Sequence, residues 1–412
     1  MRRPSTRLLS LAAALTSLTS LVSLSTVPAG NAATGSVVTT TVTFNNPAAT
    51  TAEQDAIRDH IRGLIGGAER GSSIAVSMYT FSDATVSRAL VAAKQRGVSV
   101  RVILDHSTLR TNGNEYATLS SGLGTDRAKT SWVYACPDGR GCVGTRTLPG
   151  DDGAINHNKL FLFSRTRGAD NVVVQTSANM TGYQRTELFN NAVTIADAGL
   201  YGIYQAYFAD LLKHGTSAGL SHYYRTPSSG RYQAYFFPRR ESRGTTFNND
   251  AATDTVKLIL DKVGCAPRGE ATEVRMAASL FYRKEVADKL VSLASAGCSV
   301  LLAHDANPGT VDVGPTMGTV VEGIVAGKLT KRVGCWENSP SGVKIGLHSK
   351  YLTVSGTYGG VRGRKLVWTG SHNFSYPALR SNDETLLKID DPMVFDRFKA
   401  NHEELMSYCA GT

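Results

Sequence analysis

Between Thr51 and Asp105 the apolar positions alternate between two spacings. Thr51 to Gly66 carries them at helical intervals. Ser73-Ile74-Ala75-Val76-Ser77-Met78-Tyr79 then reads as a strand. Val86 to Gln95 returns to the helical period, and Gly97 stands just past its end as a C-cap. Val98 to Asp105 is an almost unbroken apolar run, the mark of a buried strand. The same order recurs between residues 251 and 305: a helix over Asp254 to Val263, a strand over Glu273 to Leu280, a helix over Glu285 to Ala294, Gly297 after it, and a strand over Cys298 to Asp305. Asp105 and Asp305 end equivalent strands. Alternating strands and helices predict an α/β fold with βαβ crossovers. The entries match too, with Phe44-Asn45-Asn46-Pro47 ahead of the first copy and Phe236-Phe237-Pro238 ahead of the second. The Ser-, Gly- and Tyr-rich stretch over 215–230 is the expected junction, giving halves at 33–225 and 226–412. The aromatic cluster Tyr223, Tyr224, Tyr232, Tyr235, Phe236 and Phe237 fits strand and core positions better than an exposed lipid-docking patch.

Ahead of the repeat, Arg2, Arg3 and Arg7 precede a short apolar run from Leu8 to Val22 and small residues ending at Gly30-Asn31-Ala32. This predicts a secretory signal peptide over residues 1–32 and a secreted, extracellular protein. The run falls short of the roughly 20 clean apolar residues of a spanning helix. Export makes disulfides the expected state of the six cysteines. Cys136 and Cys142 bracket a turn-rich Pro-Asp-Gly-Arg-Gly loop that a bridge could close. Cys265 and Cys298 each precede a predicted strand, which would bring them together if those strands are neighbours; Cys335 and Cys409 remain. Only the first pair follows from local pattern. Zinc is the poorer reading, because Cys-x5-Cys here has no nearby histidine. A formal charge of +10 favours polyanions or anionic membrane surfaces without choosing between them.

The candidate chemistry is also duplicated. His157-Asn158-Lys159 leads into Leu160-Phe161-Leu162-Phe163, and His348-Ser349-Lys350 into Tyr351-Leu352-Thr353-Val354. In a strand, positions i and i+2 share a face, so each His projects with its Lys. A second strand follows each time, over Asn171 to Thr176 and Lys365 to Thr369. It ends in Ser177-Ala178-Asn179 and Ser371-His372-Asn373. One His-x-Lys means little; two in equivalent places point to a phosphate site built from two halves.

This pattern resembles the phospholipase D superfamily, whose signature is a duplicated His-x-Lys-x4-Asp followed by Gly-Ser-x-Asn. The second copy is complete at Gly370-Ser371-His372-Asn373, whereas Thr176 replaces the glycine of the first. The family's Asp falls on Ser164 and Ser355, so both supporting positions keep hydrogen bonding and lose charge. The resemblance implies two similar α/β lobes related by pseudo-two-fold symmetry. Each would be a mixed β-sheet flanked by helices, with the active site at the lobe interface. It implies a phosphodiesterase in which one histidine attacks phosphorus and the other handles the proton, with no metal and no cofactor. Lys159, Lys350, Asn179 and Asn373 would hold the non-bridging oxygens, and Ser177 and Ser371 would add hydrogen bonds. The first copy often supplies the nucleophile, which points to His157.

Each histidine also needs an acceptor for its second ring nitrogen. Glu187 is the candidate in the first half, and Glu384 or Asp383 in the second. The implied substrate is a phospholipid at a membrane or micelle surface, cleaved by a monomeric enzyme to phosphatidic acid, with transfer to alcohols as a variant outcome. Nucleic acid is the alternative substrate, and a non-catalytic phosphate-binding relative is the remaining reading.

Overall fold

The duplicated pattern builds two sheets whose central strands share one order. The computed structural model describes residues 39–411 except residues 112, 266–270, 311–313, 340 and 341. The expected leader, residues 1–32, lies outside the described residues. Strands β1 (Thr41–Phe44), β2 (Ser73–Met78), β3 (Ser99–Leu104), β4 (Trp132–Ala135), β5 (Lys159–Thr166), β6 (Ala169–Thr176), β7 (Leu188–Phe189) and β8 (Asn191–Ala196) come first. They are followed by β9 (Ser228–Ser229), β10 (Tyr232–Phe236), β11 (Val263–Gly264), β12 (Glu273–Ala278), β13 (Ser299–Asp305) and β14 (Lys331–Asn338). The last are β15 (Lys344–Leu347), β16 (Tyr351–Tyr358), β17 (Val361–Gly370) and β18 (Thr385–Ile389).

The first sheet runs β1-β8-β6-β5-β2-β3-β4, and the core of the second runs β10-β18-β17-β16-β12-β13-β14. Strand by strand these are the same arrangement. The βαβ part is parallel (β2-β3-β4 and β12-β13-β14), and the His-x-Lys strands β5 and β16 join it antiparallel. The expectation of two similar lobes with mixed sheets therefore holds.

Local chemistry accounts for the crossovers. Asp83 caps the helix Ala84–Gln95 by accepting the Thr85 and Val86 amides, and Gly97 beyond it takes a left-handed φ of +91°. Two helices differ from the sequence reading. The one expected over Thr51 to Gly66 divides into Thr51–Gln54 and Ala56–Gly66 at Asp55, whose carboxylate is drawn to Arg58 at 2.5 Å. The one expected to reach Val263 ends at Leu260, because Val263 and Gly264 pair instead with Tyr358 and Thr357 of β16.

The largest apolar cluster lies between the sheets. It joins Leu160, Leu162, Val173 and Val193 of the first lobe to Tyr351, Val367, Leu387 and Ile389 of the second. The helices Ala198–Gly215 and Pro392–Tyr408 complete it. Each lobe keeps a separate cluster beneath its own helices. Tyr223, Tyr232, Tyr235, Phe236 and Phe237 are all buried, so the aromatic cluster is core. Disulfides join Cys136 to Cys142, Cys265 to Cys298 and Cys335 to Cys409.

Candidate active site

His157 and His348 lie just ahead of β5 and β16, where the chain arrives between the lobes. Both line one cleft of about 820 Å³, together with Asn179 and Asn373. Lys159 and Lys350, the first residue of β5 and the residue before β16, are buried beside it. Each ammonium group donates to the carbonyl of its own motif's histidine, Lys159 Nζ at 2.7 Å from His157 O. The residues between them face the other way, as strand alternation requires. Asn158 donates to the Tyr207 hydroxyl at 2.8 Å within the core between the lobes.

The lobes exchange partners at this point. β7 leaves the first lobe and pairs in parallel with β15, so that the His348 amide donates to Phe189 O at 2.9 Å. Reciprocally, Asn156 bridges Asp383 and the His157 amide donates to Asp383 O at 3.0 Å. The residue after each acceptor then reaches a histidine of the opposite lobe. Glu384 Oε1 lies 2.8 Å from His157 Nδ1, and Asn190 Oδ1 lies 3.0 Å from His348 Nδ1. The Asn190 amide is fixed in that orientation because its Nδ2 donates to Gln184 O and Leu188 O at 3.0 and 3.1 Å. Its oxygen therefore accepts from His348 Nδ1–H, leaving Nε2 as the ring atom free for chemistry.

Several sequence expectations change here. Glu187 is not the partner of a motif histidine; it sits at the end of the helix Gly182–Thr186, where its backbone carbonyl accepts the Gly346 amide. Asn190 takes that place because β7 carries it across to the second lobe. The hydrogen bonds of Ser177 and Ser371 go to the histidines' partners: their hydroxyls donate to Asn190 Oδ1 at 2.9 Å and to Glu384 Oε2 at 2.5 Å. Ser164 and Ser355 stand well along β5 and β16, about 16 Å of strand beyond the lysines. Ser164 accepts the Ser73 amide at 2.8 Å, and Ser355 stands between Glu273 and Lys365 in the ladder. Neither residue lines the cleft. Gly370 has a clear steric cause, since a Cβ there would lie 2.1 Å from Thr385 O. At the corresponding place Thr176 instead donates its hydroxyl to Asn191 O at 2.8 Å.

Asp105 and Asp305 belong to the site although the sequence reading left them as strand ends. Asp105 Oδ2 accepts the Asn156 amide at 2.6 Å, and Asp305 Oδ1 accepts the Leu347 amide at 2.9 Å. Each fixes the backbone immediately ahead of a histidine. Their matching places at the ends of β3 and β13 were the available signal.

Burial sets the electrostatics. It pushes the Glu384 carboxyl up to about 8, against the pull of Lys159, Ser371 and Lys350. It lowers Lys159 to about 7 and Lys350 well below the ordinary lysine value, Lys159 adding repulsion to the latter. It also lowers both motif histidines, with the two lysines adding repulsion. Two lysine side chains and two imidazoles thus crowd one cleft short of negative charge, a condition that a bound phosphate diester would relieve by favouring their protonated forms.

The buried histidines contribute acid sensitivity of their own. His157, His348 and His372 are lowered well below 6.5, and His402 to about 4, burial being the first cause each time. Their folded values lie under the unfolded one, so the stability they protect is whole above pH 6.5 and is lost as pH falls toward 4. His402 alone corresponds to about 3 kcal/mol over that window. Burial raises Glu384, Asp383 and Asp305 to about 8, 7 and 6, which acts in the opposite sense, so the test isolates one histidine: the melting-temperature difference between wild type and His402→Gln should shift in favour of His402→Gln as pH is lowered from 7 to 4.

The model of a family described as "Cardiolipin synthase, PLD-like domain" matches residues 61–212 and 270–406. A phospholipase D of Rickettsia prowazekii is 26% identical over 151 residues, covering 37% of this chain and 60% of that protein. A phospholipase D of Rickettsia felis is 30% identical over 128 residues, covering 31% and 51% respectively. The chain thus spans between half and three-fifths of the curated relatives it matches. Among solved structures, the phosphatidylserine synthase of Haemophilus influenzae superposes with a TM-score of 0.54 at 13% identity, over 89% of this chain and 86% of that one. That likeness concerns the fold.

Proposed function

The chain belongs to the family of cardiolipin synthase-type, phospholipase D-like domains, and from that premise we propose that it is a secreted phospholipase D acting on glycerophospholipids. The observation that carries the reading is the pair of imidazoles, each held through Nδ1 by the opposite lobe above two buried ammonium groups. In the reaction, His157 Nε2 attacks phosphorus and the bond to the head-group oxygen breaks. His348 gives that oxygen its proton. Water, or an alcohol, then loses a proton to His348 and attacks phosphorus, and phosphatidic acid or its transfer product leaves while His157 is regenerated. Lys159, Lys350, Asn179 and Asn373 hold the non-bridging oxygens as charge builds. Among the described residues no group of three or more His, Cys, Asp or Glu is placed to hold a metal ion.

His157 is the nucleophile in this reading because its partner is a carboxyl group. A carboxylate behind Nδ1–H sharpens Nε2 and stabilises the cationic phosphoimidazole that forms. The neutral Asn190 offers His348 no such charge and leaves it readier to release its proton.

The lipid assignment is supported by the Rickettsia relatives' names and by the cleft walls. Leu148, Pro149, Ile155, Phe247, Leu280 and Tyr282 line its apolar part, beside the half-exposed Tyr183. Export is supported by the three disulfides. The test is release of head group and phosphatidic acid from phosphatidylcholine and phosphatidylethanolamine vesicles, with and without EDTA. Chelator-resistant release that His157→Ala abolishes is the expected result. No release from vesicles together with cleavage of DNA or RNA would move the assignment to a nuclease.

A further inference from the structure

Glu384 is aimed at His157 by a short segment whose own anchorage comes from the first lobe. The residue ahead of it, Asp383, is fully buried. Its Oδ2 accepts the Val143 amide at 3.0 Å and its Oδ1 the Gly144 amide at 2.6 Å, with the Cys142 amide also turned toward it. Successive amides converging on one carboxylate form an anion nest. The nest begins where the disulfide between Cys136 and Cys142 closes its loop. The fit admits no side chain: a Cβ at Gly141 would lie 2.7 Å from Asp383 Oδ2, and one at Gly144 would lie 2.1 Å from Ser381 O.

The backbone of Asp383 is committed as well. Its amide donates to Ile155 O at 2.9 Å, and its carbonyl accepts the His157 amide. In the other lobe the corresponding carbonyl is that of Phe189, whose ring packs 5.1 Å from Tyr408 with no charge involved. The two histidines are therefore supported by different means, one by a buried carboxyl group in a nest beside a disulfide and the other by the neutral Asn45 side chain, which accepts the Asn190 amide at 2.7 Å and donates to Leu188 O at 3.0 Å.

We propose that Asp383, held by the amides that follow the Cys136–Cys142 loop, is a positioning residue that keeps Glu384 in register with His157 and so tunes that histidine alone. This rests on the reading of His157 as a reacting group. Breaking the anchor lets the Asp383–Glu384 segment shift by a fraction of an ångström while the sheets stay intact. A misplacement of about 1 Å costs about 10²-fold in turnover, so a smaller one costs about tenfold.

The test compares the full mature protein with Asp383→Ala, Asp383→Asn and the double variant Cys136→Ser/Cys142→Ser. Turnover of bis(p-nitrophenyl) phosphate is read as kcat and KM, and the ring titrations of His157 and His348 are followed by NMR. Asp383→Ala should lower kcat about tenfold or more with KM within about twofold, and should move the titration of His157 but not of His348. Asp383→Asn, which can still accept one amide, should recover part of the loss, and the cysteine variant should change in the same direction as Asp383→Ala. Wild-type kcat with unmoved titrations, or equal shifts of both histidines, overturns the proposal. If Asp383→Ala does not fold, the other two variants decide by the same criteria. A wild-type protein that fails to turn over the probe would count against the phosphodiesterase reading, while the titrations would still decide the positioning role.

Discussion

His157→Ala should reduce turnover by about 10⁴-fold or more, and His348→Ala by a comparable factor. The two losses arise differently. Without His157 the ring nitrogen placed to accept the phosphoryl group is lost, and water must attack directly. Without His348 the leaving oxygen departs unprotonated and no base activates the incoming water. The losses should not multiply in the double variant, because the two residues act in one sequence. Neither substitution should unfold the protein, since each ring sits at the cleft with one side-chain hydrogen bond to the opposite lobe. Circular dichroism with burst and steady-state assays of each variant is the check. Retention of most activity by either one would remove the shared site.

Glu384→Gln should cost about 10³-fold, although it is nearly isosteric. In its ionised form, which the positive charge forming on His157 favours, Glu384 only accepts, so it holds the proton of His157 on Nδ1 and leaves Nε2 as the attacking atom. A glutamine amide can turn its NH2 toward Nδ1 instead, which moves the proton to Nε2 and blocks attack. It also removes the charge that would stabilise the phosphoimidazole cation. The hydroxyl of Ser371, now donating to Oε2, loses its charged acceptor in the same change. Asn190 predicts the converse in the other lobe. Asn190→Asp places a carboxylate behind His348, which raises its pKa. The alkaline limb of the rate profile, where His348 loses the proton it must donate, should then move to higher pH. pH–rate profiles of wild type, Glu384→Gln and Asn190→Asp test both halves of the argument. An unchanged Glu384→Gln would show that the hydrogen bond to His157 carries no catalytic weight.

The linear pattern revealed the duplication because its elements are local. The helix Ala84–Gln95 needs only its apolar spacing, the Asp83 cap and Gly97, all within a few turns of chain. The His-x-Lys pairs were legible for a similar reason: strand alternation puts positions i and i+2 on one face whatever the rest of the fold does. The glycine at 370 followed from its motif, and the clash a Cβ would meet at Thr385 O supplies its cause.

What supports each histidine was not legible, because the supporting residues come from the opposite lobe. Glu187 had the right chemistry, but β7 crosses to β15 and delivers Asn190 instead. Glu384 was identified, yet nothing in its own half shows that it faces His157 rather than His348. Ser177 and Ser371 have the residue type for phosphate contact, and only their hydrogen bonds turn them toward Asn190 and Glu384. Sequence by itself determined the repeated units and the paired His-x-Lys positions, since these depend on spacing along one strand or helix. Tertiary structure alone decided which group stands behind each reacting ring, because that depends on how two sheets exchange short segments across a shared core.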